Sequence, residues 1–305
     1  ESEPALKEWQ RARALNPSLP VLDASLGLAL LYVKRNFDGA LKVFEEGIKN
    51  DARNLVNYSG AVVASSLLGQ SPVERVKILE RYPNLGTMPT ALVYELAISR
   101  AEAGDYYGAA KLFQKRFFGR EEGGTNVRQV WMEVKLTQAV GLGRAGRCQD
   151  ALAVANSLGS PAAGLAFTEE GLKEIVESAR TNYLSADLFG GCGQKAEAEK
   201  RYQLVSQLPE TSQPEASQIV WKWAAARKRA GYDPALWHER LTAALSEVES
   251  SSHTSGWMLY SKGVLQIALG RQEEGESSLR QTLLLPETHM SHHFARLALE
   301  GATPR

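Results

Sequence analysis

The sequence predicts an all-α solenoid built from about eight helical hairpins, and three recurring features carry that reading. A small residue is followed four positions later by an aromatic, as in Ala40 and Phe44, Ala109 and Phe113, and Ala198 and Tyr202. Glycines stand five residues ahead of small residues: Gly104 before Ala109, Gly146 before Ala151, Gly193 before Ala198, Gly270 before Gly275. The spacing from Ala5 to Ala40 is 35 residues and from Ala40 to Ala109 is 69, close to one and two units of a single period.

Each feature has a physical reason. Offsets of four and seven place Ala5, Trp9 and Ala12 on one stripe of a 3.6-residue helix, and Pro17 ends it. The small residues let a second helix approach, and the aromatic fills the space between hairpins. A chain reversing between two helices commonly ends the first on a left-handed residue, which glycine adopts at least cost. Gly69 and Gly231 occupy similar places in weaker units.

About sixteen helices are expected. The first, near Pro4 to Leu15, reads as the second helix of a hairpin whose partner precedes the chain. The last runs from Ser291 to Leu299, with Ser291 as a plausible N-cap. The whole chain, 1–305, is therefore expected to be a single helical-repeat domain and a C-terminal fragment of a longer protein. Two intervals are long: Ala109 to Ala151 is 42 residues and Ala151 to Ala198 is 47. The surplus falls on Arg120, Glu121 and Glu122 with their flanking glycines, and on the segment around Ala163. Such insertions belong on loops, either as binding surface or as tolerated drift.

The period, the small–aromatic spacing and the turn glycines together resemble the tetratricopeptide repeat superfamily. That resemblance implies a right-handed superhelix with the first helix of each hairpin on the concave side. The stretch from Leu79 to Asn84, and that from Tyr94 to Trp131 containing Arg116, Phe117, Phe118, Glu122, Gly123 and Gly124, is similar to something narrower. It resembles, best over Ser71 to Gln203, the C-terminal repeat region of large bacterial proteins. In those, a domain of unknown function, and sometimes a sugar-mutarotase-like region, comes first.

Counting each turn glycine as position fifteen places Tyr94, Tyr183, Trp221 and Tyr260 at position five, which the resemblance points into the groove. A one-residue error of register would turn them inward, against the neighbouring hairpin. Asp187 and Lys228 complete the expected groove set, and Glu133, Arg144 and Arg180 share its face. The superfamily's cationic clamp needs a lysine and an asparagine at positions five and nine. Tyr94 with Ile98, Leu136 with Val140, and Tyr183 with Asp187 stand there instead, so chaperone-tail binding is not expected.

Chemistry is sparse. The sequence contains no phosphate loop, dinucleotide fingerprint, nucleophile elbow or zincin motif, so an enzyme is not expected and no cofactor is. A balance of 35 basic against 35 acidic residues argues against a nucleic-acid or anionic-membrane partner. Trp221 and Trp223 interleaved with Lys222, Arg227, Lys228 and Arg229 superficially suggest nucleic-acid binding. On a helix, however, the two indoles point about 200° apart and the arginines complement the helix dipole. His289, His292 and His293 have a spacing from which two could face one metal, but they read as an exposed helix start. His238 reads as a packing or surface histidine. Cys148 and Cys192 are expected to be free thiols, and the cytoplasm is slightly favoured.

The expected function is a non-catalytic scaffold holding a protein or peptide, the rest of its own parent chain included. The alternative is a carbohydrate-binding accessory whose aromatics stack on sugar rings.

Overall fold

In the computed structural model the described residues are 2–16, 19–114, 116–119, 121–122, 125–159, 171–208, 215–285 and 290–304. Among the described residues the protein is all-α apart from one β-hairpin of two-residue strands, and its helices pack in consecutive pairs. Contacts divide it into two compact units, Glu1–Leu112 and Phe113–Arg305.

The first unit comprises α1 (Ser2–Leu15), α2 (Pro20–Leu28, continued by a π turn over Ala29–Val33), α3 (Phe37–Asn50), α4 (Leu55–Leu67), α5 (Pro72–Leu79), α6 (Thr90–Glu102) and α7 (Tyr106–Lys111). Polar side chains close the starts of α3, α4 and α7. Asn36 accepts from the Gly39 amide, Asn54 from the Val56 amide, and Asp105 from the Gly108 amide, each satisfying an otherwise orphaned donor. Pro17 and Ser18 lie outside the described residues, and α1 ends at Leu15.

The small–aromatic pairing expected from sequence is realised around Phe44. Its ring is fully buried, and it lies against Gly27 of α2 and Gly60 of α4, where a methyl group on either glycine would enter the ring's envelope. Small residues on both flanking helices thus make room for one aromatic between hairpins. Gly60→Ala is expected to destabilise the chain by about 1–3 kcal/mol, the usual cost of forcing extra volume into a packed core, as read from urea denaturation. Arg13 of α1 ties this corner together, reaching Asp23 at 2.7 Å and also Glu46. Between α5 and α6, Arg75 and Glu102 form a buried ion pair.

The second unit opens with Glu121–Glu122 paired antiparallel with Thr125–Asn126, so the acidic stretch expected as a loop has strand backbone instead. Then follow α8 (Val127–Arg144), α9 (Cys148–Asn156), α10 (Leu172–Val176), α11 (Ala179–Gly191), α12 (Lys195–Gln207), α13 (Gln218–Arg227, after a 3₁₀ turn), α14 (Pro234–Ser250), α15 (Gly256–Ala268), α16 (Gln272–Leu283) and α17 (Met290–Leu299). The pairs α8/α9, α11/α12, α13/α14 and α15/α16 are helical hairpins. Their first helices α8, α11, α13 and α15 lie side by side in that order, and α17 packs on α15 and α16.

The predicted turn glycines hold. Gly69, Gly104, Gly146, Gly193, Gly231 and Gly270 all have φ between 69° and 86°, the left-handed conformation each reversal requires. The tightest hairpin is α15/α16, where a Cβ on Gly275 would stand 2.7 Å from the Gly263 carbonyl oxygen. There the backbones themselves touch, which explains glycine at the position that carries alanine in other units.

Three sequence expectations are corrected here. Cys148 and Cys192 are joined in a disulfide, with Cα atoms 5.4 Å apart. Cys148 opens α9 just after the Gly146 turn and Cys192 closes α11 just before Gly193, so stacking α8/α9 on α11/α12 brings the two turns together. His292 and His293 are buried inside α17 rather than exposed at a helix start. Ser291 is likewise a buried residue within that helix and not its cap. His289, Arg120 and the insertion around Ala163 lie outside the described residues, as do the side chains of Glu121 and Glu122.

Candidate binding pocket in the second unit

The adjacent first helices of the second unit converge on a pocket of about 290 Å³. Glu133 comes from α8, Arg180 and Thr181 from α11, Gln218 and Trp221 from α13, and Trp257 and Tyr260 from α15. Phe294 of α17 supplies one more wall, and Glu174 and Ile175 of the short helix α10 complete the lining with Gln129, Ser178 and Ser217.

A repeating register explains this convergence. Glu133, Arg180, Gln218 and Trp257 each stand thirteen residues before the turn glycines Gly146, Gly193, Gly231 and Gly270. They therefore occupy one equivalent position in four successive hairpins, three residues before position five and on the same helical face. Sequence reasoning singled out Glu133 and Arg180 but missed Gln218, Trp257 and Phe294. The register that located position five would have found Gln218 and Trp257 at position two. Phe294 stands outside any registered repeat.

The base of the pocket is a charge network drawn from three helices. Arg180 Nη1 donates to Glu133 Oε1, and His293 Nε2 of α17 lies 3.1 Å from Glu133 Oε2. Burial alone would raise the Glu133 pKa, but the Arg180 charge and the His293 hydrogen bond outweigh it and hold the carboxyl below its ordinary value. The Arg180 guanidinium also lies against two aromatic faces, 4.6 Å from the centroid of Phe294 and 5.7 Å from that of Trp221.

The expected groove set is distributed unevenly. Trp221 and Tyr260 line the pocket but expose only 2% of their surface each, and burial pushes the Tyr260 hydroxyl up to about 12. Tyr183 is buried behind Trp221, with ring centroids 5.5 Å apart. Burial and the neighbouring Asp187 carboxylate raise its pKa. Tyr202 also donates a hydrogen bond to Asp187, and Lys228 stands 3.7 Å from that carboxylate on the surface. Tyr94 is buried in the first unit. The four position-five aromatics are thus buried instead of presenting an open stripe, which corrects the groove expectation. At position two Gln218 and Trp257 keep more surface exposed than Trp221 and Tyr260 at position five, while Glu133 is buried at the base. Arg144 is exposed at the end of α8.

Among the described residues, no cluster of three or more His, Cys, Asp or Glu could hold a metal, and no helix is long and apolar enough to cross a membrane. The tryptophans singled out beside basic residues are both buried. Trp223 Nε1 donates to the Tyr232 hydroxyl at 3.0 Å, with Arg227 over its ring.

The fold and pocket define an all-α helical-hairpin protein with a preformed cleft across its first helices. No family model matches the chain, and no curated protein matches it in sequence. Among solved structures, a chain of the structure of Naa15/Naa10 bound to HypK-THB aligns with 98% of this chain at 12% identity and a TM-score of 0.44. The present chain spans 58% of that chain's length.

Proposed function

We propose that this protein is a non-catalytic interaction scaffold, and that the pocket of its second unit receives an anchor side chain from a protein or peptide partner. The observation that carries this reading is the repetition of one register position across four hairpins, which lays Glu133, Arg180, Gln218 and Trp257 around a single opening. Side chains held by packed helices are pre-formed, so binding loses little to reorganisation. A volume of about 290 Å³ accommodates one large side chain, the scale of an interface hot spot. Both oxygens of Glu133 are engaged, by Arg180 and His293, which suits a structural carboxylate better than a general base. The partner is a protein segment, the remainder of a longer parent chain included.

Sugar stacking fits less well. It needs an open aromatic face, and Trp221 and Tyr260 are nearly closed off by their neighbours.

Peptides selected from a random displayed library on the full chain test the proposal. Their affinity is expected to fall at least tenfold in Trp257→Ala and measurably in Gln129→Ala, while the thermal midpoint of Gln129→Ala stays near that of the parent. Selected peptides indifferent to both changes would place binding elsewhere.

A further inference from the structure

The chemistry of the pocket also defines the side chain it would accept, an inference that rests on the proposed binding role. Three charged residues line it, two carboxylates and one guanidinium. Glu133 and Arg180 neutralise each other through a direct ion pair. That leaves Glu174, which is exposed on α10 and has no ion-pair or hydrogen-bond partner among the described residues. Glu174 is therefore the charge left for a ligand, and it sits where a ligand would meet it.

The walls point the same way. Arg180 shows what these aromatic surfaces hold, since its guanidinium lies over Phe294 and Trp221. Trp257 and Tyr260, set edge-to-face with centroids 6.0 Å apart, carry no cation among the described residues. Trp257 is also the half-buried member of the set, so its ring has surface left to offer. A long aliphatic stem lying on Trp257, with a positive head near Glu174, satisfies both features at once. Lysine and arginine are the side chains with that shape, a greasy shaft and a charged tip.

We infer that the pocket recognises a basic side chain, lysine or arginine, of the partner. An acidic side chain would have to compete with Glu133 for Arg180 and would meet Glu174 at the opening. A purely aliphatic one would leave Glu174 without compensation.

Four capped pentapeptides, Gly-Gly-X-Gly-Gly with X as arginine, lysine, leucine or glutamate, test this on the full chain by NMR. The readout is the indole N–H signal of Trp257, assigned through its loss in Trp257→Phe. The arginine and lysine peptides are expected to move that signal with at least fivefold higher affinity than the other two. The preference should shrink at least threefold in Glu174→Gln and weaken as salt rises. If the leucine or glutamate peptide binds as well or better, the basic ligand class is wrong while the pocket remains a binding site. If none of the four moves the signal, the pocket reading falls with it.

Discussion

Replacing Glu133 by glutamine is expected to lower the unfolding free energy of the chain by about 3–5 kcal/mol, the penalty for stranding one member of a buried ion pair. The carboxylate is shared between Arg180 and His293, both nearly enclosed, so its loss leaves a guanidinium between two aromatic faces with no counter-charge. Replacing Glu133 and Arg180 together by leucine should cost considerably less, because no guanidinium is then left unpaired and His293 can stay neutral. The pH dependence follows from the lowered Glu133 pKa, whose ordinary value is 4.5. The stabilisation is fully present above that ordinary value and is lost as pH falls through the lower folded-state value. Denaturation curves between pH 3 and pH 7 should therefore show an acid-dependent loss of stability in the parent that Glu133→Gln lacks. Parallel curves would refute the assignment.

Breaking the Cys148–Cys192 bond is the second large effect. It closes a loop of 44 residues, for which the chain-entropy relation gives about 4 kcal/mol of stabilisation. Reduction, or the double change Cys148→Ser and Cys192→Ser, should lower the denaturation midpoint accordingly, and the double variant should no longer respond to reductant. An unchanged midpoint on reduction would mean that the two thiols are not joined. The bond also bears on where the protein works. Disulfides form and persist mainly in oxidising compartments.

What could be read in advance divides along physical lines. Turn glycines and small–aromatic pairs are local signals, fixed by backbone conformation and by contacts one helix away, so Gly104, Gly193, Ala40 and Phe44 announced the hairpins directly. The pocket was half legible. Glu133 and Arg180 lay on the expected face, and Trp221 and Tyr260 line the pocket, but the more exposed Gln218 and Trp257 at position two were overlooked. Nothing periodic could reveal that His293 meets Glu133, since 160 residues separate them. Nor could spacing show that the turns carrying Cys148 and Cys192 would meet, because that depends on how hairpins stack.

The participation of α17 gives the pocket an order of birth. Glu133, Arg180, Gln218 and Trp257 leave the ribosome in sequence, yet Phe294 and His293 arrive only with the final described helix. At ordinary translation speeds the interval from Glu133 to Phe294 lasts roughly 10–30 seconds. Throughout it the cleft lacks a wall, and Glu133 gains Arg180 only after 47 further residues. The pocket is thus closed only once α17 has been made, some 160 residues after Glu133, and release of those closing residues decides when it can first hold anything.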